Sequence, residues 1–238
     1  MSTNVTLLPA NTLSAGTAIN NTALLPFISG VDPVYRVNWT VTDDISFIGE
    51  CQVSVGTFYS GDDVLPWTSV GRNASFAMTT TALGLLSGWK YFGNVRCINA
   101  AGLRNASSAA AVTVDLDGPV LGAVIDGSLS VDQEYSTTSS SMTANWVDAV
   151  DVHTYIDWCE AAIGTNPITA AGRTNVRGWT RVGRVTRATV DSLALTAGVP
   201  THFVVRCWDA VGNPSTAWSN GVILDTTPPV SGGVAPVR

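Results

Sequence analysis

Apolar and polar residues alternate along one segment of this chain, and that segment occurs twice. Residues 88–102 read GWKYFGNVRCINAAG and residues 198–212 read GVPTHFVVRCWDAVG, with Val-Arg-Cys at the same place in both. Strand side chains alternate between two faces, so residues an even number of positions apart share a face. The pattern predicts one β-strand per copy with a core face and an outer face. The predicted core positions are Tyr91, Val95 and Cys97 in the first copy and Thr201, Val205 and Cys207 in the second.

An earlier strand is also predicted in each copy. Val37, Trp39 and Val41 are assigned to one buried face and Tyr35 to the other, and Trp146 is the second copy's counterpart of Trp39. Each copy is therefore predicted to contain an early strand that carries a buried tryptophan.

Turn residues and strands recur along the chain at intervals of about 110 residues, as in a duplicated domain. Short strands separated by turn signals predict an all-β sandwich and not a βαβ fold. We predict a first sandwich at residues 1–118 with an irregular N-terminal stretch, a second at residues 119–227, and the start of a truncated third repeat at residues 228–238.

Composition narrows the classes of protein to consider. The chain has 238 residues, of which 45% are hydrophobic and 13% charged, which fits a folded protein. A formal net charge of −6 argues against binding to nucleic acid, which requires a basic surface. No apolar run reaches the roughly 18 residues that a membrane-spanning helix needs.

The four cysteines occupy matching positions in the two copies. An even number at repeated positions predicts one disulfide per domain and an oxidising compartment, the alternative being four buried free thiols. They are Cys51 and Cys97 in the first copy and Cys159 and Cys207 in the second.

Asn-X-Ser/Thr sequons also favour an extracellular protein that carries N-linked glycans. The five acceptor residues are Asn4, Asn20, Asn38, Asn73 and Asn105. Met1 is not followed by a basic and then an apolar region, so we expect a segment of a longer secreted protein.

These motifs resemble the fibronectin type III superfamily. The resemblance covers roughly residues 34–119 and 120–229 and rests on three features: the early-strand tryptophan, the spacing of one set of residues, and a closing V–D–PP pattern with residues between the aspartate and the proline. The spaced residues are Gly88, Tyr91, Val95, Asn99 and Gly102. The resemblance implies an all-β protein of two tandem fibronectin type III/immunoglobulin-like β-sandwich domains.

A subgroup of that superfamily, found in large extracellular proteins of algae and other aquatic eukaryotes, is more similar still. Its GT…WT.VG segment is present in both copies, and some members build filaments such as the mastigoneme hairs of flagella. The residues are Gly56-Thr57 with Trp67-Thr68, and Gly164-Thr165 with Trp179-Thr180.

The resemblance also implies a disulfide pairing. In this fold the two cysteine-bearing strands are neighbours in one sheet, so we predict the pairs Cys51–Cys97 and Cys159–Cys207. The chain departs from the superfamily here, because an aromatic and a small residue usually occupy these two positions.

Catalytic constellations are absent from the sequence, so we predict no enzyme activity, no cofactor and no metal site. His153 and His202 have no counterparts in the first copy, and no histidine, cysteine or carboxylate cluster has zinc-ligand spacing. Asp115 and Asp117, or Asp43-Asp44, are candidate calcium ligands, but the turn preference of Asp favours solvated turn aspartates at these positions.

The two copies differ most where Trp158 and Trp208 flank the second copy's cysteines and point outward. The first copy has Glu50 and Ile98 there. Either the two tryptophans form an exposed contact site, or they pack against arginine side chains. The candidate interaction face comprises Trp158, Trp208, Arg181, Arg184 and Arg206.

Two functions follow from these patterns. The first is a structural repeat of a long secreted glycoprotein, assembled into a filament, coat or matrix, with neighbouring repeats or copies of the same protein and N-linked glycans as partners. The alternative is an adhesion or receptor-like module that binds a glycan or a protein through the tryptophan face. Both place the chain outside the cell, with the flagellar surface as one setting.

Overall fold

The structure is a computed structural model that describes residues 4–7, 27–128, 131–147, 149–230 and 232. Asn20, the side chain of Asn4 and most of residues 228–238 lie outside the described part. The chain divides into two compact units, the first formed mainly by residues 1–118 and the second mainly by residues 119–238. In the described residues, no helix has both the length and the apolar character needed to cross a membrane.

The first unit is a sandwich of two antiparallel sheets. One sheet has the strand order β1-β3-β6, and the other has the order β2-β9-β7-β4-β5 with β8 also paired to β7. Its elements are β1 (Asn4–Leu7), β2 (Phe27–Ser29), β3 (Val34–Thr42), β4 (Ile48–Gly56), β5 (Leu65–Gly71), β6 (Ser75–Thr79), α1 (Thr80–Leu83), β7 (Lys90–Asn99), β8 (Arg104–Ser108) and β9 (Val112–Asp115). The parallel β2–β9 pair is the exception to the antiparallel arrangement.

The second unit repeats this plan. One sheet has the order β10-β12-β15 and the other β11-β18-β16-β13-β14, with β17 also paired to β16. Its strands are β10 (Val124–Asp126), β11 (Tyr135–Ser136), β12 (Ser141–Trp146), β13 (Ile156–Gly164), β14 (Arg177–Gly183), β15 (Arg187–Asp191), β16 (Pro200–Asp209), β17 (Pro214–Trp218) and β18 (Val222–Leu224). The predicted all-β class with two tandem fibronectin type III-like domains is confirmed.

The repeated segment forms the central strand of each unit, β7 or β16. Its predicted core residues are buried, and Trp39 and Trp146 are 2% and 0% exposed. The assignment of Tyr35 was wrong: it is 1% exposed and lies on the Trp39 face, because residues 35 and 39 are an even number of positions apart.

Tyr91 ties the start of β7 to the preceding loop. Its buried phenol oxygen accepts a hydrogen bond of 2.9 Å from the Leu86 backbone N–H, the arrangement called a tyrosine corner in immunoglobulin-like sandwiches. The second unit has Thr201 at this position, and its hydroxyl donates to the Val199 carbonyl over 3.3 Å. The hydrogen bond at this corner therefore joins residues five positions apart in the first unit and two positions apart in the second.

The Gly-Thr motif at the end of β4 has a steric and a polar role. A Cβ atom on Gly56 would lie 2.4 Å from the Gly61 carbonyl carbon, so only glycine lets the following loop fold back onto the strand. Thr57 then donates its backbone N–H and its hydroxyl to the Asp63 carboxylate, over 2.9 and 2.7 Å. These bonds close the loop.

The second copy of the motif works in the same way with a longer loop. A Cβ atom on Gly164 would overlap the Gly172 carbonyl oxygen. The Thr165 N–H donates to the Asn175 side-chain oxygen over 2.9 Å, and the Asn175 amide donates to the Thr165 hydroxyl over 2.7 Å. The motif therefore specifies loop closure in both units.

Disulfides join Cys51 to Cys97 and Cys159 to Cys207, the pairs that the resemblance implied. Each pair lies directly opposite on neighbouring strands, β4–β7 or β13–β16. The bonds enclose sequence separations of 46 and 48 residues. Loops of this length correspond to about 4 kcal/mol in the chain-entropy model.

Removing either disulfide should destabilise its own unit alone. We expect Cys51→Ala/Cys97→Ala to lower the free energy of unfolding of the first unit by about 2–4 kcal/mol, and Cys159→Ala/Cys207→Ala to do so for the second. Urea denaturation followed by hydrogen exchange of each unit measures this. Equal losses in both units from one double substitution would contradict it, as would peptide mapping that found a bond between units.

Candidate functional site

Trp158 and Trp208 stack on each other on the outer face of the second unit. They are register partners on β13 and β16, their ring centroids are 3.9 Å apart, and their planes differ by 11°. Each is next in sequence to an inward-facing cysteine, which places its side chain on the opposite side of the sheet. Both rings are half-buried.

Arginines cover the remaining ring faces. The Arg181 guanidinium carbon lies 4.5 Å from the Trp158 ring, and that of Arg206 lies 4.7 Å from Trp208 and 4.3 Å from Trp179. A ring face stacked at 3.9 Å has no room for another group, so each arginine occupies the face away from the tryptophan pair. These five residues form what we call the arginine–tryptophan stack.

Glu160 anchors the stack to the sheet. It is the register partner of Arg206, and its carboxylate accepts from both Nε (2.9 Å) and a terminal nitrogen of that guanidinium. The Glu160 side chain is 12% exposed, so water screens this ion pair less than a fully exposed one. Arg206 is therefore held by one carboxylate and two aromatic rings.

The first unit contains a smaller version of the same arrangement. Arg96 lies 4.3 Å from the Trp67 ring and donates from Nε to the Gln52 side-chain oxygen over 2.7 Å. Glu50 and Ile98 occupy the places of the stacked tryptophans. The Trp–Arg contact is therefore common to both repeats, and the second unit extends it.

Four of the five stack residues belong to the interaction face predicted from the sequence. Trp158, Trp208, Arg181 and Arg206 come together, but Arg184 lies apart, 4.5 Å from the Tyr155 ring, with its Nε donating to the Ile156 carbonyl over 2.6 Å. Trp179 and Glu160 were missed. The repeated Trp-Thr motif and the repeated Val-Arg-Cys motif were the signal that could have identified Trp179.

The described sequons differ in how accessible their asparagines are. Asn73 is exposed in the turn between β5 and β6, whereas Asn38 and Asn105 are half-buried on β3 and β8. Glycosylation at any of them stays a prediction.

The acidic residues weighed as calcium ligands have different environments. Asp43 organises its own turn: hydrogen bonds from the Asn99 side chain and from the Ser46 and Ile45 backbone hold the pKa of its carboxyl well below its usual range. Asp115, expected to be solvated, is instead completely buried at the end of β9, while Asp117 is exposed. The turn preference of Asp cannot reveal that β9 extends into the core.

Asp126 is a second completely buried carboxyl group. Its Oδ2 accepts from the Gly221 N–H over 3.1 Å, and among the described residues its Oδ1 has no hydrogen-bond partner. Burial raises its pKa to about 6, more than the hydrogen bonds from Ser219 and Gly221 lower it. The second unit therefore takes up a proton when it folds at a pH between the ordinary pKa of the carboxyl group and its folded value of about 6.

The raised pKa predicts how the stability of the second unit depends on pH. Between the unfolded pKa of about 4 and the folded value, the native state binds more protons than the unfolded state, so stability falls as pH rises. We expect wild type to lose about 2–3 kcal/mol relative to Asp126→Asn between pH 4 and pH 7. Urea denaturation across this range measures the difference. Asp191→Asn, at an exposed position, is the control, and parallel pH profiles for wild type and Asp126→Asn would contradict the prediction.

The stack predicts unequal effects for its two arginines. Arg206→Gln removes an ion-pair partner from Glu160 and uncovers two rings, so we expect the second unit to lose about 2–3 kcal/mol. Arg181→Gln, at the end of the stack, should cost less than about 1 kcal/mol. Tryptophan fluorescence during urea denaturation checks both, and equal losses would show that Arg206 is not the central member.

Comparisons with known proteins agree with the fold. No protein-family model matches the chain. Exoglucanase B of Cellulomonas fimi is 31% identical over 201 residues, which are 81% of this chain but only 16% of that protein. A Ca²⁺-stabilised adhesin that helps an Antarctic bacterium bind ice has a TM-score of 0.50 at 15% identity, over 94% of this chain and 50% of that one. The fibronectin(III)-like modules of Clostridium thermocellum CbhA give a TM-score of 0.39 at 14% identity, over 97% of this chain and all of theirs. The chain is built from two tandem fibronectin type III-like β-sandwich domains.

Proposed function

We propose that this chain is a non-catalytic structural segment of a long secreted or cell-surface glycoprotein, whose repeats assemble into an extracellular filament, coat or matrix. The observation that carries the proposal is the duplicated sandwich with a disulfide at the same place in each core. A repeated, covalently braced module supplies length and mechanical stability, and disulfides persist in oxidising compartments.

The charged groups on the outer sheet faces support a structural role. Arg96 and Arg206 are held by aromatic rings and by Gln52 or Glu160. The contacts within each unit thus hold these two guanidinium groups against the sheet, as expected of side chains that stabilise a fold.

The similar proteins suggest a module within a longer chain. This chain spans 16% of the exoglucanase and half of the adhesin structure. Hydrolysis of glucan and binding of ice belong to those proteins. For this chain we propose only the role of a spacer or stalk in a secreted protein. The resemblance to mastigoneme-type proteins suggests that this protein is a flagellar hair.

The second candidate is an adhesion module that binds a glycan through Trp158 and Trp208. A sugar ring needs an open aromatic face for such binding. Each of these tryptophans has one face against the other tryptophan and its second face against an arginine, Arg181 for Trp158 and Arg206 for Trp208. The ring edges alone remain for a ligand, so the contacts favour the structural role.

Electron microscopy of the purified full-length parent protein tests the proposal. We expect ordered polymers that an antibody against this segment labels at a regular spacing, because tandem repeats stack at a fixed period. Isolated surface molecules would contradict the structural role. If a glycan array also showed binding that Trp158→Ser/Trp208→Ser abolished, the adhesion candidate would replace it, and Trp67→Ser in the first unit is the matched control.

A further inference from the structure

Charge is segregated along the chain. Residues 161–190 contain five arginines and no acidic residue, whereas residues 105–160 contain nine acidic residues and no lysine or arginine. The five arginines are Arg173, Arg177, Arg181, Arg184 and Arg187. A block of this kind in a chain with net charge −6 gives one region a local charge opposite to that of the whole.

The sheet orders place the basic block at one lateral edge of the second unit. β14 is the last strand of one sheet and β15 the last strand of the other, and three residues connect them. Arg177 and Arg181 lie on β14 and Arg187 begins β15, and all three side chains are exposed. We call these three residues the basic edge.

Acidic residues line the opposite edge. β10 and β11 end the same two sheets at the other side. Asp132 and Glu134 lie between these strands, Asp225 directly follows β18, the pairing partner of β11, and all three side chains are exposed. We call them the acidic edge.

The charges at both edges are available to a partner. Neither the Arg36–Asp32 ion pair nor the Arg206–Glu160 ion pair involves an edge residue. Arg181 lies over the Trp158 ring, and a guanidinium stacked in this way keeps its N–H groups in the plane, where they can bind a carboxylate.

We propose that the second units of neighbouring copies of this chain associate side by side, with the basic edge of one against the acidic edge of the next. The occupant is a second copy, because the complementary charges lie on opposite edges of the same unit. Contacts between two different patches leave one patch of each kind unused in a pair, so they propagate into rows unless the rotation between copies closes a ring. The inference rests on the proposed function, for which it supplies the lateral contact.

Sedimentation velocity of the whole chain at low and high ionic strength tests the contact. We expect concentration-dependent association at about 20 mM salt that disappears at about 500 mM, because salt screens exposed charges. Arg177→Glu/Arg187→Glu turns two attractions into repulsions and should weaken association about tenfold or more, and Asp132→Lys/Glu134→Lys should do the same. Circular dichroism verifies that each variant is folded.

Mixing the two reversal variants makes the test specific. One variant has two acidic edges and the other two basic edges, so each should stay monomeric alone and the mixture should form assemblies in which the two variants alternate. The matched control is Arg72→Glu/Arg104→Glu, which changes the net charge equally on the first unit and should associate like wild type.

Three results would overturn the proposal. Association unaffected by either reversal would show that copies assemble through another surface, which leaves the structural function intact. A monomer at every salt concentration would rule out the edge-to-edge contact. If the parent protein also formed no polymers, the structural function would be ruled out as well. Retention on heparin that Arg177→Glu/Arg187→Glu abolishes, without self-association, would assign the basic edge to an acidic polysaccharide instead.

Discussion

The pairing of two central strands, β4 with β7 and β13 with β16, determines most of this structure. In each unit a cysteine on one strand lies opposite a cysteine on the other, and the disulfide fixes the register at that point. Side chains alternate from there, so the same register places the apolar core on one side and the arginine of the Val-Arg-Cys segment on the other. A slip by one residue would exchange the two faces and break the bond.

The two repeats keep the inner face and vary the outer one. Arg96 and Arg206 have the same ring contact with Trp67 and Trp179, but their polar partners are Gln52 and Glu160. A neutral partner leaves Arg96 charged toward solvent, whereas Glu160 neutralises Arg206. Arg206 also contacts one further ring, that of Trp208, on which Trp158 stacks. Core packing constrains the inner residues closely, and the outer face can diverge at little cost to the fold.

Much of the fold could be predicted from the sequence, and the outer face could be predicted only in part. Alternation identified the central strands, the buried tryptophans and the cysteines, and it failed for Tyr35, which was assigned to the wrong face. Trp179 and Glu160 were missed because their roles depend on which strand pairs with β13. Asp115 was taken for a solvated turn residue because turn preference says nothing about depth.

The amino-acid sequence by itself determined the class of fold, the duplication and the positions of the core residues, since these depend on neighbours two residues apart and on a repeated pattern. Tertiary structure alone decided the order of rings and guanidinium groups in the stack, the burial of Asp126, and the separation of basic and acidic residues to opposite edges. These features join residues that are distant in the chain, and strand order and register bring such residues together where local patterns cannot.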